Sequence, residues 1–335
     1  MKAIRIGAPA SLDTLAFVDV AEPPAPAADE IQVRLHASSL NFHDYSVAAG
    51  LAPRRAGLIP LSDGAGEVVA IGADVEEFSV GDTVISTFFP KPPMSGDFTT
   101  IFKNVPGDGL DGFACEMVTA PAANFTRAPQ GWSYAEAATV PCAGLTAWRA
   151  LVADGQLRAG QTVLVQGTGG VSIYALQIAK ALGCRVIATS SSAAKIERLL
   201  TLGADQVINY RDMPDWGVQA RALTGGRGVD HVVEIGGGGT LAQSIQACAM
   251  NGHIAVIGSL AGYSGQIPTA TILARQIRLI GLLVGSPAQQ SEFVAALETT
   301  GIRPVIDSRF PLSALADGFR RQESGAHFGK IVIDI

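Results

Sequence analysis

The sequence predicts an α/β fold in which a doubly wound parallel sheet follows a β-rich section. Three observations predict it. The run Val163-Leu164-Val165-Gln166-Gly167-Thr168-Gly169-Gly170-Val171-Ser172 reads as a buried strand, a glycine-rich turn and the start of a helix. A strand at Arg185 to Thr189 and a helix at Ala193 to Leu202 repeat that alternation and lead into Ala204 to Asn209. Ahead of all this, residues 1 to about 130 carry strand patterns punctuated by Pro and Gly.

Each element has its own reason. Met1 to Ile6 and Ile31 to Ala37 alternate as strands, separated by a turn at Pro23-Pro24-Ala25-Pro26. Glu67 to Ile71 and Thr83 to Ser86 are further strands, and Asn41-Phe42-His43-Asp44 opens a short helix. Phe88 to Phe113 is a long irregular loop rich in Pro, Gly and aromatic residues, of a length that suits a lid or a binding wall. From Ser133 the pattern changes: Tyr134 to Ala138, Gly144 to Val152 and Ile173 to Leu182 read as helices. Strands recur at Val229 to Ile235, Ile254 to Ile257 and Leu279 to Leu283. Residues 291–335 hold two helices and a closing strand, Lys330 to Ile335.

Composition narrows the function classes. At 335 residues the chain suits two domains. Hydrophobic residues at 48% against 16% charged give a large core and a sparsely charged surface. A net charge of -6 argues against nucleic acid, and the chain lacks the Lys/Arg block of a membrane-surface protein. The four cysteines form no Cys-x-x-Cys pair, which argues against a zinc ribbon or a disulfide framework. Met1-Lys2-Ala3-Ile4-Arg5 runs straight into a strand without a signal-peptide core, so a cytoplasmic location is expected. Between Glu234 and Arg275 there is no Asp, Glu, Lys or Arg, but Gly, Ser, Asn and Gln interrupt the run, which reads as buried sheet rather than membrane span.

The glycine turn points to a dinucleotide. Gly167 permits the tight turn, Gly169 lets the backbone approach a pyrophosphate on the helix N-terminus, and Ser172 is small enough for close helix–strand packing. Thr168, Gly170 and Val171 complete the turn. An NAD site usually ends its second strand with an acid that accepts from the ribose 2′-hydroxyl. Here the strand ends Thr189-Ser190-Ser191-Ser192, where Ser190 and Ser191 can donate to a 2′-phosphate and Lys195 adds a positive charge. NADPH is therefore favoured over NADH.

Several motifs then carry a resemblance that covers the whole chain. They are Asn41-Phe42-His43-Asp44, Asp63-Gly64-Ala65-Gly66-Glu67-Val68, Phe78-Ser79-Val80-Gly81-Asp82-Thr83-Val84 and Ala138-Thr139-Val140-Pro141-Cys142-Ala143-Gly144-Leu145-Thr146-Ala147-Trp148. The glycine turn, Leu202-Gly203-Ala204-Asp205 and Gly329-Lys330-Ile331-Val332 complete the set. The sequence resembles the zinc-free, quinone-oxidoreductase-like branch of the medium-chain dehydrogenases/reductases. That implies a Rossmann domain (residues 133–284) inserted in a GroES-like β-rich catalytic domain built from residues 1–132 and 285–335.

The resemblance also assigns roles. Zinc-dependent relatives carry a Cys at the position of Asn41, His-Glu at Ser62-Asp63 and often a Cys at Cys142, so no zinc is expected here. A site rebuilt from His43, Asp63 and Cys142 is the less favoured alternative, and Cys142 is expected as a small buried residue near the cofactor. Lys195 and Tyr210 match positions that hold the 2′-phosphate, with Arg211 a further candidate. Thr146, Gly258 and Ser259 match positions near the nicotinamide, and Lys330 a basic position reaching the cofactor phosphates. Without zinc, donors must polarise the substrate oxygen: Asn41 through its amide, Tyr45 or His43 as proton donors, and Ser62 beside them.

The favoured function is an NADPH-dependent reductase of quinones or α,β-unsaturated carbonyls. The alternatives are a zinc-free alcohol dehydrogenase or carbonyl reductase, and a non-catalytic NADPH-binding protein. A homodimer is expected through the uncharged edge strand Leu279 to Val284, which relatives pair across a two-fold axis.

Overall fold

The computed structural model describes residues 1–51, 54–90 and 101–335. The middle of the expected 88–113 loop, residues 91–100, lies outside the described residues. In chain order the strands are β1 (Lys2–Ile6), β2 (Leu15–Asp19), β3 (Glu30–Ser39), β4 (Ala65–Ile71), β5 (Thr83–Ser86), β6 (Met117–Pro121) and β7 (Phe125–Arg127). They continue as β8 (Thr162–Gln166), β9 (Arg185–Ser190), β10 (Gln206–Asn209), β11 (Val229–Glu234), β12 (Cys248–Val256), β13 (Arg278–Gly281), β14 (Ile306–Pro311) and β15 (Lys330–Asp334). Among the described residues no helix is long and apolar enough to cross a membrane.

The chain divides into two compact units, Met1–Leu145 with Val284–Ile335, and Thr146–Leu283. Residues 133–145 thus pack with the first unit, where the helix Tyr134–Ala137 lies against β3, β4 and β15.

In the first unit a mixed sheet runs β14-β15-β3-β4-β5-β7, with β6 also paired to β3 and the β1-β2 hairpin separate. β3 alternates as the sequence predicts: Ile31, Val33 and Leu35 point into a core with Val68, Val84, Phe125, Phe319, Ile331 and Ile333. At its C-terminal end the alternation stops and Ala37, Ser38 and Ser39 are all buried. That change marks where the sheet enters a polar interior. The short strands β2, β6, β7 and β14 escape sequence reading because three to six residues with weak alternation give no periodic signal.

In the second unit six parallel strands run β10-β9-β8-β11-β12-β13. Numbered by sequence this is the order 3-2-1-4-5-6 of a dinucleotide-binding sheet, whose ligand crevice lies where the order reverses, between β8 and β11. Leu164, Ile187, Ile208, Val232 and Ile254 from five neighbouring strands form one core with Trp216, Ala220 and Ile245 from the covering helices. The uncharged stretch after Glu234 departs from its expected burial. Cys248 and Ile254 are buried, but Leu260, Tyr263, Ile267 and Leu273 are exposed. β13, shorter than expected, forms the edge of the sheet.

Candidate active site

In the second unit the parallel strands deliver their C-terminal ends to one side. β8 ends at Gln166, and Gly167 turns the chain at φ +68°, a left-handed conformation that favours glycine. Gly169 is the N-cap of a helix that begins one turn earlier than expected and spans Gly170–Ala181. A Cβ built on Gly169 would meet nothing within 4 Å, so there is open space for a ligand to approach the backbone at the helix start. That cradle fits a pyrophosphate. Ser172 is buried and its Oγ donates to the Gln166 carbonyl at 2.6 Å, tying the helix back to the strand.

Beside the turn, β9 and β10 bring together two of the expected phosphate-binding segments. Tyr210 N–H donates to the Ser190 carbonyl at 3.2 Å, its side chain is exposed, and Ser190 Oγ accepts from Ser192 N–H at 3.3 Å. Ser191 follows at the strand end, and Lys195 stands in the first turn of the helix Ala193–Thr201. Gly258 and Ser259 follow β12, packed against the loop after β11: a Cβ at Gly237 would lie 2.8 Å from both. Thr146 is buried at the start of the unit.

Two residues that hold this edge together were missed by sequence reading. Glu234, at the end of β11, is fully buried and accepts from the backbone of Gly236 (2.8 Å) and Gly237 (2.9 Å), from Thr240 Oγ1 (2.6 Å) and from Ser244 Oγ. Gln166 Nε2 donates to it at 2.7 Å, while Gln166 Oε1 accepts from Ile235 N–H at 3.2 Å. These bonds bridge β8 to β11 at the switch point. The one available signal was that Glu234 is the last charge before a long uncharged stretch.

In the first unit, strand register assembles a buried polar cluster. β3 lies between β15 and β4. β15 pairs Val332 with Ser39, so two residues on Lys330 comes opposite Asn41. β4 pairs Ala65 with Ala37, which sets Asp63 opposite Ser39. Lys330 Nζ donates to Asn41 Oδ1 at 2.5 Å and to the Leu40 carbonyl at 2.7 Å, and lies 3.5 Å from Asp63 Oδ2. Asn41 Nδ2 donates to Asp63 Oδ2 at 2.8 Å and reaches Ser62 Oγ at 3.4 Å. Ser39 Oγ donates to the same carboxylate oxygen at 2.7 Å. Asp44 closes the group, accepting from Asn41 N–H (3.0 Å) and Ser62 N–H (2.8 Å).

Electrostatics follow from burial. Desolvation pushes Asp63 up to about 6 despite Lys330 alongside, and its Oδ1 is buried without a hydrogen-bond partner. Desolvation also raises Asp44, opposed by His43 and by the Ser62 hydrogen bond. Cys142 is only partly covered as a residue, but burial pushes its thiol well above the usual range and Asp63 pushes it further.

Several expectations are corrected here. Lys330, expected to reach the cofactor phosphates, is buried in the first unit, where its ammonium is the cation of the cluster. The Asn41 amide is engaged at both ends, so it holds Lys330 and Asp63 rather than standing open as a donor. Tyr45 turns away, its hydroxyl donating to Glu323 Oε1 at 2.7 Å and its ring packing near Phe42 and Phe319. Ser62 joins the cluster's edge. His43 faces Asp108.

The donor set does not suit zinc. Among the described residues no three His, Cys, Asp or Glu side chains group as metal ligands. Around Asp63 the neighbours are neutral Asn41 and Ser62, a protonated Cys142 thiol and the Lys330 ammonium, which already serves the carboxylate as its cation.

Comparison with known proteins gives consistent matches. An alcohol dehydrogenase GroES-like domain model matches residues 27–130, and a zinc-binding dehydrogenase model matches residues 170–300. The chain is 40% identical to a zinc-type alcohol dehydrogenase-like protein of Schizosaccharomyces pombe, over 91% of each chain. It is 31% identical to a chloroplast envelope quinone oxidoreductase homolog of Arabidopsis thaliana, over 93% of this chain and 91% of the relative. Among solved structures, an NAD-dependent alcohol dehydrogenase superposes with a TM-score of 0.89 at 35% identity, over 100% of both chains. A mycobacterial protein, Rv1454c, complexed with NADPH superposes with a TM-score of 0.82 at 27% identity, again over 100% of both.

Proposed function

The chain belongs to the medium-chain dehydrogenase/reductase family of NAD(P)-dependent oxidoreductases, and on that premise we propose that it is an NADPH-dependent reductase of quinones or α,β-unsaturated carbonyls that works without zinc. The observation that carries this reading is the Lys330 ammonium, held between Asn41 and Asp63. A simple ketone needs strong polarisation before it accepts hydride, which a Lewis acid supplies. A quinone or enone is electron-poor already and needs only hydrogen-bond donors to carry the developing oxyanion.

NADPH, when bound, supplies the hydride. Gly167 to Val171 would hold its pyrophosphate through backbone N–H groups, and Ser190, Ser191, Lys195 and Tyr210 its 2′-phosphate. The residues of the first unit then handle charge and protons. Lys330 keeps a fixed positive potential in the buried cluster, and Asn41 and Ser39 keep Asp63 oriented. NADPH rather than NADH is supported by the absence of an acid at the end of β9 and by the NADPH complex of the 27% identical relative.

The test is NADPH oxidation measured in parallel with a quinone, an enone, an aldehyde and a ketone, alongside elemental analysis. Turnover of the first two without metal is expected. One zinc per chain, with activity lost to a chelator, would overturn the zinc-free reading. The similarity to an NAD-dependent alcohol dehydrogenase favours a second reading, a zinc-free alcohol dehydrogenase or carbonyl reductase. Preference for the aldehyde or ketone with NADH would establish that one instead.

The same reading includes a homodimer. β13 is an edge strand, and the exposed Leu260, Tyr263, Ile267 and Leu273 precede it in a stretch without charge. Light scattering at micromolar concentration should give twice the chain mass; a monomer would sink this part.

A further inference from the structure

Outside the Lys330 cluster, the first unit contains a second set of ionisable groups. His43 Nε2 lies 3.0 Å from Asp108 Oδ2. Arg54 grips the same carboxylate with two nitrogens, Nε on Oδ1 and Nη2 on Oδ2 at 2.9 Å. Accessibility is graded across the set. The Asp108 side chain is 2% exposed, while the His43 ring retains 21%. The ring sits among aromatic neighbours, with Phe88 edge-on at 5.3 Å and Phe102 tilted at 5.0 Å.

The chain invests backbone in placing Asp108. It stands in the turn Val105–Leu110, where Gly107 N–H bonds the Leu110 carbonyl and Asp108 N–H bonds the Val105 carbonyl. Gly107 has φ +78°, and a Cβ there would fall 2.6 Å from the Leu61 backbone. The turn is therefore pressed against the strand entry that carries Ser62 and Asp63. Burial raises the Asp108 carboxyl, but its neighbours His43 and Arg54 outweigh that and hold it below the usual range. Asp44 follows His43 on the same helix, itself bonded to Asn41 and Ser62.

A buried carboxylate, oriented by an arginine and set against a partly exposed imidazole, is the arrangement that fixes a histidine's tautomer and supports its protonated form. We propose that His43 is the proton donor of the reaction and that Asp108, held by Arg54, is its positioning residue. The step rests on the reductase reading above. A hydride adds to the β-carbon of the unsaturated carbonyl, the C=C π pair moves to give an enolate, and the His43 imidazolium passes a proton to the α-carbon. The neutral imidazole then takes a proton from water. With a quinone the proton goes to the oxyanion of the hydroquinone. The 3.0 Å contact lies off the line of the ring N–H, so a small ring rotation is needed to make the hydrogen bond.

The test uses near-isosteric variants of the full chain, His43→Gln and Asp108→Asn, with circular dichroism confirming the fold. His43→Gln should lower kcat about 10²-fold, and Asp108→Asn should cost about 10²-fold at most, with the KM for NADPH within about twofold. The double variant should be no slower than His43→Gln alone, because both remove one function. The solvent deuterium isotope effect on kcat should rise in each single variant, and Asp108→Glu should recover part of the loss. A readout without substrate is the low-field imidazole N–H resonance of histidine-labelled protein. It should vanish in His43→Gln and move upfield in Asp108→Asn. Unchanged kcat and isotope effect in folded Asp108→Asn would overturn the assignment, as would multiplicative losses in the double variant. Wild-type protein inactive with every acceptor would sink the reductase reading and the proton step with it. The resonance would still decide whether His43 and Asp108 pair.

Discussion

The glycine turn of the second unit is made of backbone, and the polar cluster of the first is made of side chains. Gly167 and Gly169 act by what they lack, one allowing a left-handed turn and the other leaving open space beside a helix start. Lys330, Asn41 and Asp63 act by what they carry, and each is held by the other two. A backbone site can bind without contributing to the core. A buried charge cluster is bound up with the stability of its unit.

The largest expected effect tests that difference directly. Lys330→Met should destabilise the first unit by roughly 3–5 kcal/mol, the usual loss when one member of a buried pair is removed. Lys330→Met with Asp63→Asn should recover most of it, because no uncompensated charge remains. Urea denaturation followed by circular dichroism reads both; a double variant as unstable as the single would show that packing, not charge, holds the cluster. The same pair sets a pH dependence. Asp63 titrates at about 6 in the fold, above the ordinary 3.8, so the folded state binds the extra proton between those values. Stability from this group therefore rises as pH falls from 7 through 6 and levels off below 4. Below that, the depressed Asp108, Asp230 and Asp307 are themselves protonated, their arginine partners lose the carboxylate charge, and stability falls again. Urea midpoints at pH 7 and pH 5 should differ in wild type, and the rise should vanish in Asp63→Asn.

The next effect belongs to the backbone side. Lys195→Ala should weaken NADPH by about 1.5–3 kcal/mol, roughly tenfold to a hundredfold, and leave NADH nearly unchanged. Titration calorimetry with both cofactors decides it; equal losses would remove Lys195 as the discriminator. The smallest effect is Gly167→Ala. A left-handed alanine costs about 1–2 kcal/mol, and the added methyl would meet only Ile235 Cδ1 at 3.8 Å. The expected signature is a modest drop in the second unit's thermal midpoint, and none would mean that the turn relaxes.

The same contrast explains what was legible in the sequence. The turn from Val163 to Ser172 could be read because its parts are adjacent and glycine at fixed offsets has few other uses. β8, β9 and β11 emerged close to their expected bounds because buried parallel strands are continuous apolar runs. The cluster could not be read, since its members are scattered and their meeting depends on the register of β15 and β4 on β3. Lys330 was visible as a motif residue, but not its burial or its partners. Asp108 lay in a loop without periodicity, where position follows from turn geometry rather than pattern. Glu234 looked like an ordinary residue near the end of a strand.

The hydrogen bond from Lys330 to Asn41 spans 289 positions of chain, and the second unit is threaded between its two ends. A growing polypeptide therefore exposes β3, with its apolar face and its unpaired edge, long before β15 emerges to cover that edge. The inserted unit has its own sheet and core and can fold in that interval, while the first must wait. Mutations that slow the second unit's folding would lengthen the exposure of the first. Aggregation of nascent chains, rather than loss of catalysis, is then the natural failure of this architecture.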